Sequence, residues 1–299
     1  MPCLLSLIVL LSASGCSVKQ TIKVDVPQNI RQAKTAGFDD LLGIIKSYDR
    51  INSLSCNEMY LTLTSSKKMD VGELEKYHTV RGYILLRRPD ATHLVLLMPV
   101  TKSTLFNVLS IGDKLSVWFP KENKFYEGSN SAKELVVEDP SGAKQFSIPI
   151  RGTHIFDAIF PQSVVLDSPD VRIGLEEQAD ARASYYVLSF VKEEQAPRIR
   201  ILRKIWIERA GLTIARQQVF GDEGQVVSDI AYSNDIKIEG LDLPLRIHID
   251  RPVDGYMLDL RFGNWNINPP DLTDNAFELL PPPGAQIIHL KEKGRSSTS

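Results

Sequence analysis

The side chains that could carry out chemistry are few and scattered in this 299-residue sequence. His154 and Asp157 form the one pair whose spacing general acid–base catalysis could use. His248 alternates with Arg246 and Asp250, as a solvated residue on the polar face of a strand does. No GxSxG elbow, phosphate-binding glycine loop, HExxH or calcium-loop motif occurs, and no His/Cys cluster has metal-ligand spacing. We therefore expect a protein that is not an enzyme and that uses neither a metal nor a cofactor.

The cysteines point to the membrane instead of to redox chemistry. Residues 1–16, MPCLLSLIVLLSASGC, are uncharged and carry an apolar run that is too short to span a bilayer but long enough for a secretion signal. The small residues before Cys16 resemble the lipobox of bacterial lipoproteins, which implies that Cys16 is the site of lipid (palmitate) attachment. An ordinary cleaved signal peptide is the alternative. Cys56 would then be a lone cysteine without a disulfide partner, and we expect it in the core.

Residues 17–36 are polar, contain Pro27 and show no sustained period, so they predict a flexible tether behind the anchor. The likeness to lipoproteins, with Ser17 after the cysteine, implies the periplasmic face of the outer membrane. The net charge of −2 argues against a nucleic acid partner.

The stretch from Ile199 to Trp265 predicts an antiparallel meander. Short alternating runs are separated by turn signals such as GDEG (221–224) and PVDG (252–255). The runs 245–250 and 256–262 alternate cleanly between apolar and polar residues, which is typical of strands with one buried face.

Other segments predict helices and loops. Phe38–Tyr48 has the i, i+3, i+4, i+7 apolar spacing of an amphipathic helix. Residues 129–180 change rhythm and predict a helical or irregular insertion, with a short helix at His154–Phe160. Residues 291–299 are predicted to be disordered.

Apolar rows on the strands have two interpretations: packing of an ordinary core, or the wall of a concavity for an apolar ligand. Arg203 and Arg216 interrupt these rows. Since unpaired charges are rarely buried, each could lie at a wet mouth, meet a carboxylate, or mark a bulge that reverses the alternation.

The order of several motifs resembles the LolA/LolB-like superfamily of periplasmic lipoprotein-localisation carriers. These motifs are GYILLRRP (82–89), SIGDKLSVWFP (110–120), WIERAGLTIARQQVFGDEG (206–224) and FELLPPPGA (277–285). The resemblance covers 37–290 apart from 129–180. It implies a mainly β fold, with a curved, incompletely closed antiparallel barrel of about 11 strands and helices covering its concave face.

The resemblance also implies a function and its residues. A lipid-anchored member would bind lipid or lipoprotein acyl chains in the concavity and assist their transfer to the outer membrane. Arg88 matches the arginine that ties the sheet to the helical lid in this superfamily, with Arg87 as a close competitor. The predicted cavity-lining residues are Leu85, Leu96, Trp118, Ile205, Ile207, Leu258, Leu260 and Phe262. The alternative is a non-catalytic scaffolding lipoprotein that acts through contacts with other envelope proteins.

Overall fold

The computed structural model describes residues 32–65, 79–132, 135–138, 145–146, 150–161, 168–181, 183–194 and 198–292. Cys16, the tether as far as residue 31 and the tail 293–299 lie outside the described residues. The helices are α1 (Phe38–Lys46), followed by the 3₁₀ turn Ser47–Arg50, and α2 (Gly152–Ile159), with further 3₁₀ turns at Pro120–Glu122 and Asp274–Phe277. The strands are β1 (Ser53–Ser65), β2 (Val80–Arg87), β3 (Ala91–Leu97), β4 (Thr104–Ile111), β5 (Lys114–Phe119), β6 (Lys124–Ser129), β7 (Leu135–Glu138), β8 (Gln145–Phe146), β9 (Val171–Ala179), β10 (Ser184–Glu193), β11 (Ile199–Glu208), β12 (Thr213–Phe220), β13 (Val226–Ile238), β14 (Leu241–Arg251), β15 (Tyr256–Phe262), β16 (Asn266–Ile267), β17 (Gln286–His289) and β18 (Lys291–Glu292).

One 15-stranded sheet dominates the structure. Its order is β17-β6-β5-β4-β3-β2-β1-β15-β14-β13-β12-β11-β10-β9, with β16 beside β1, and the sheet does not close into a barrel. Every pairing is antiparallel except β17 with β6. The mainly β fold and the incompletely closed sheet are therefore confirmed. The sheet has 15 strands where about 11 were predicted, and β9 and the short strands β16 and β17 are among the additional ones.

The predicted meander forms β11 to β15, in sequence order along the sheet. In β15, buried Leu258 and Leu260 alternate with more exposed neighbours, and in β14 buried Ile247 and Ile249 do the same. Burying one such side chain contributes about 1.5–3 kcal/mol. The buried rows of both halves of the sheet meet in one continuous apolar core.

Helix α1 begins where Asp40 accepts a hydrogen bond from the Gly37 N–H at 2.9 Å, and its acidic first turn suits the helix dipole. Its apolar side chains Leu41 and Ile45 are buried in the core. The helix and the following turn cross one end of the sheet. There the Tyr48 hydroxyl donates to the Asp242 carbonyl at 2.6 Å.

Helix α2 lies on the concave face of the sheet. At its start, Gly152 packs against Thr92 and Ser110 of β3 and β4, so closely that a Cβ would lie 2.6 Å from the Ser110 Oγ. Near its end, the Ala158 carbonyl accepts a hydrogen bond from Tyr232 of β13 at 2.6 Å. The predicted helix at 154–160 is confirmed, beginning two residues earlier. The rest of the predicted insertion is not uniformly irregular, because β9 forms an edge of the main sheet.

Candidate functional site

Most of the predicted cavity wall is buried beneath the two helices. The residues on the inner face are Leu96, Ile205, Ile207, Leu258, Leu260 and Phe262, each at most 5% exposed. They belong to the same apolar cluster as Leu41 of α1 and Ile155 of α2. In this conformation they are core residues, and an apolar ligand would reach them only if a helix moved.

Leu85 lies on the opposite, outer face of the sheet. It alternates along β2 with Ile84 and Leu86, which are fully buried on the inner side. Leu85 packs instead in a small second cluster with Leu109 and Phe277, beneath the C-terminal segment. The concave wall therefore does not include it.

Trp118 is also on the outer face, because its neighbour Val117 points into the main core. The Trp118 ring is partly exposed and lies 6.4 Å from the ring of Phe125. Its position follows from the two-residue period of β5.

Arg88 connects the sheet to the helical segment at the mouth. Its Nε donates to the Ile51 carbonyl at 2.9 Å, and an Nη donates to the Tyr48 carbonyl at 3.3 Å. The guanidinium also stacks over the ring of Phe160, just beyond α2, at 4.8 Å. Partial burial lowers the pKa of Arg88, and nearby Asp49 opposes that shift. One side chain thus contacts the sheet end, the turn after α1 and the end of α2.

Arg87, the competitor for this role, points the other way. It forms an ion pair with Asp274 at 2.6 Å and stacks over the Phe277 ring at 4.3 Å. Arg87 therefore holds the C-terminal segment to the outer face and contacts neither α1 nor α2.

Arg203 is sealed inside the molecule, 6% exposed, beneath α2. It donates to the side chain of Gln217 at 2.9 Å, and Gln217 donates to the hydroxyl of Tyr232. Burial lowers the pKa of Arg203 and raises that of Tyr232, while Asp157 of α2 favours the Arg203 charge. Arg203 thus belongs to a buried polar network between the sheet and α2.

Arg216 has a different explanation. A bulge between β11 and β12 pairs Ile214 with Ile207 but Arg216 with Trp206, so that Arg216 reaches the outer face. There its guanidinium pairs with Asp229 and lies over the Trp206 ring. The alternatives of a bulge and of a carboxylate partner both hold for this residue.

His154 does not pair with Asp157 as the spacing suggested. Its Nδ1 is hydrogen-bonded to the hydroxyl of Tyr256 on β15. Burial, with the charges of Arg251 and Arg151, holds the pKa of His154 well below its ordinary value. Within the described ranges no group of three or more His, Cys, Asp and Glu residues could hold a metal ion.

A cavity of about 430 Å³, which we call the mouth cavity, lies between α1 and the neighbouring hairpin ends. Its apolar lining comes from Ile44 and Tyr48 at the helix and from Leu212, Ile214 and Leu241 at the hairpins. The polar part of the lining consists of Asp39, Asp40, Ser47, Thr213 and Asp242. Tyr48, Ile214 and Leu241 are also members of the buried core. The lining of the cavity is therefore continuous with the apolar interior.

A DUF1329 family protein from Desulfovibrio piger resembles the chain with a TM-score of 0.52 at 15% identity, over 80% of this chain and 95% of its own. The chain shares its fold. A LolA superfamily protein from Nitrosomonas europaea gives 0.46 at 14% identity, over 79% and 96%. A domain from Vibrio parahaemolyticus, described as an outer membrane lipoprotein-sorting protein, gives 0.45 at 11%, over 80% and 97%. No family model and no curated protein matches the sequence.

A member of the superfamily that the order of motifs predicted is among these neighbours. The likeness is one of fold. No helix in the described part of the chain is long and apolar enough to cross a membrane.

Sequence reasoning missed the lining of the mouth cavity. Ile44 lies beside the apolar stripe of α1, and Leu212 sits in a hairpin with a positive φ of 60°. The usable signal was the bulky apolar Leu212 within a turn, with Ile214 just after it, since turns are ordinarily polar.

The buried state of His154 predicts a pH dependence of stability. An unfolded histidine takes up a proton below pH of about 6.5, whereas folded His154 stays neutral. The contribution of His154 to the free energy of unfolding is therefore complete above that pH. It falls as the pH is lowered towards the pKa of His154 in the folded protein, by at most about 1.4 kcal/mol per pH unit. Urea titrations should be made on the wild type and His154→Gln between pH of about 7.5 and 5, roughly the range in which an unfolded histidine takes up its proton. The free energy of unfolding should change less steeply with pH in the variant than in the wild type. Equal slopes would contradict this.

Proposed function

We propose that this protein binds lipid, or the acyl chains of lipoproteins, at the mouth between α1 and the open end of the sheet, without bond chemistry. Anchored by a lipid on Cys16 at the periplasmic face of the outer membrane, it would assist transfer of such chains. The cavity of about 430 Å³ that is continuous with the apolar core is the observation that carries this proposal.

The physical reasons are volume and the apolar part of the lining. A cavity of several hundred Å³ has the size of a small-molecule site, and its apolar side chains suit an acyl chain, whereas Asp39, Asp40 and Asp242 make the rest of its lining polar. A longer chain would continue inward past Leu241 towards the predicted wall residues, displacing α2 from the inner face as it does so. Since α1 and α2 have only nine and eight residues, tertiary packing and not intrinsic helix stability holds them in place.

Arg88 is the residue we assign to the closed state of this mouth. Its stacking on Phe160 holds the end of α2, which a ligand would displace, to the turn after α1, where its two carbonyl contacts lie. Losing them would favour opening without changing the cavity walls.

Arg88→Met should therefore speed the uptake and release of a fluorescent acyl probe by about tenfold, since charged hydrogen bonds contribute about 1.5 kcal/mol or more. The amount of probe bound at saturation should stay unchanged. Stopped-flow fluorescence measures both. Arg87→Met is the matched control because Arg87 contacts only the outer-face segment, and equal rates in the two variants would refute the role of Arg88.

Gly43→Phe tests the site itself. Gly43 lines the cavity, and a Cβ placed there meets nothing within 4 Å, so a side chain can start from this position and extend into the cavity. We expect the purified full chain to bind the acyl probe and Gly43→Phe to bind it at least about tenfold more weakly. Gly43→Ala should bind as the wild type does. Wild-type affinity in Gly43→Phe, measured by fluorescence titration with both variants folded by circular dichroism, would sink the proposal.

A scaffolding role is the second candidate, and the filled interior favours it. Arg203 is sealed and the inner wall is covered, as a structural core would be. This candidate would replace the first if the wild type bound no acyl probe at all, while the full chain co-purified from membranes with a stoichiometric envelope protein.

A further inference from the structure

One edge of the main sheet is formed by β9. Within the described residues β9 pairs only with β10, and most of its side chains are exposed. Leu175 is 42% exposed at the middle of the strand. A long strand edge with apolar side chains and no proline is a template for pairing with another strand.

The hairpin between β9 and β10 determines which residues of β9 direct their backbone groups towards β10 and which direct them outward. The Asp180 N–H donates to the Ala183 carbonyl at 2.9 Å. Since alternate residues of an antiparallel strand bond to the same neighbour, the even-numbered residues of β9 bond to β10. Ile173, Leu175 and Glu177 therefore direct their backbone N–H and C=O groups away from the sheet.

The sequence of β9 is self-complementary about Gly174. If two copies pair antiparallel with Gly174 opposite Gly174, each Ile173 faces the Leu175 of the other copy, with backbone hydrogen bonds. Arg172 then faces Glu176 in the closer, non-hydrogen-bonded positions, once on each side of the two-fold axis. Both charged side chains are solvent-accessible, Arg172 at 64% and Glu176 at 48%. Within one copy Arg172 lies 3.7 Å from Glu193 and Glu176 lies 3.6 Å from Lys204, so the contact between copies would add to or replace these exposed ion pairs.

In this register the side chains on each face of β9 would meet compatible side chains of the second copy. Val171 and Ile173 pack on the core side, opposite Lys192 and Phe190 of β10. An added strand would bring a second Leu175 beside Ile173 on that same side, extending the apolar row. On the other side a pair of opposite charges, directly across from each other, stabilises an antiparallel ladder.

We propose that β9 is a homodimerisation edge, at which two copies of this chain pair antiparallel about Gly174 to form one continuous sheet with two-fold symmetry. Such an isologous contact closes on itself, so it yields a dimer and not a filament. It leaves the mouth cavity at α1 free and does not depend on what the cavity binds.

Disulfide trapping tests the register. Opposite residues in non-hydrogen-bonded positions have Cα atoms about 4.5 Å apart, within disulfide range. A Cβ at Gly174 has only Ser189 near it, at 4.0 Å, so Gly174→Cys should fold. Oxidised full-chain Gly174→Cys should give a covalent dimer on non-reducing gels beyond the wild-type background. Gln178→Cys, exposed on the same face but far from the axis, should not.

Charge reversal tests the pairing independently. Arg172→Glu and Glu176→Arg alone each place like charges opposite each other, and each should weaken the dimer at least about tenfold in sedimentation equilibrium. Mixing the two variants should restore a heterodimer, because an all-acidic edge then meets an all-basic one. The double variant should dimerise as the wild type does.

The proposal is overturned if the wild type stays monomeric at all concentrations tested. It is also overturned if Gln178→Cys traps as well as Gly174→Cys, or if mixing the single variants restores nothing. A stable complex of β9 with a different protein and no self-association would likewise replace it.

Discussion

Gly82→Ala is expected to destabilise the protein by about 3 kcal/mol or more. A Cβ at this position would lie 2.2 Å from the carbonyl oxygen of Val95 and 2.9 Å from a methyl of Leu96. Since Val95 is backbone of the adjacent strand, the clash is relieved only by separating β2 from β3, in the centre of one half of the sheet. Urea denaturation followed by circular dichroism measures the loss.

Gly43→Ala is the matched control. Gly43 lies in α1 with open space around an added Cβ, so alanine there should stabilise the protein by roughly 0.5–1 kcal/mol through its higher helix propensity. A loss below about 1 kcal/mol for Gly82→Ala would mean that β2 and β3 are not packed as described.

Arg203→Ala should cost about 3–5 kcal/mol, because it leaves the buried side chain of Gln217 without its donor and opens a cavity beneath α2. The network reaches α2 through Tyr232, so the loss should be accompanied by faster amide exchange at Ala158 and Ile159. Hydrogen exchange and urea denaturation measure the two effects.

Arg216→Ala is the matched control on the other face of the same strands. Its ion pair with Asp229 is partly exposed, and its loss should cost only about 1 kcal/mol. Equal losses for Arg203→Ala and Arg216→Ala would contradict the assignment of Arg203 to the interior.

Alternation in the sequence was sufficient to predict the meander, because each strand there has one buried face. Leu258 and Leu260 were predicted on one side and lie there. The sequence pattern could not tell that Arg203 is buried and Arg216 lies on the outer face. A bulge changes the face on which a residue lies without changing its neighbours in sequence. Strand β9 was missed because only Val171 and Ile173 at its start are partly buried, and the rest of this edge strand is exposed on both faces.

For the candidate site, the resemblance of the motif from Gly82 to Pro89 pointed to Arg88, which contacts the turn after α1 and Phe160 just beyond α2. The predicted wall identified interior residues in six of eight positions, but Leu85 and Trp118 belong to the outer face. The mouth cavity depends on how the hairpin ends near Leu212 and Leu241 approach α1. That approach joins segments far apart in the chain, and no local pattern encodes it.

Photolabelling locates the bound chain most directly. The purified full chain would be incubated with a fatty acid that carries a mid-chain diazirine, irradiated, digested and analysed by mass spectrometry. We expect labels in the α1 peptide containing Ile44 and in the hairpin peptides containing Leu212 and Leu241, and we expect Gly43→Phe to lose them. A cavity of about 150 Å³ on the outer face, lined by Leu109 and Phe277 among others, is the internal comparison. Labels confined to that outer cavity, or no saturable labelling, would contradict acyl binding at the mouth.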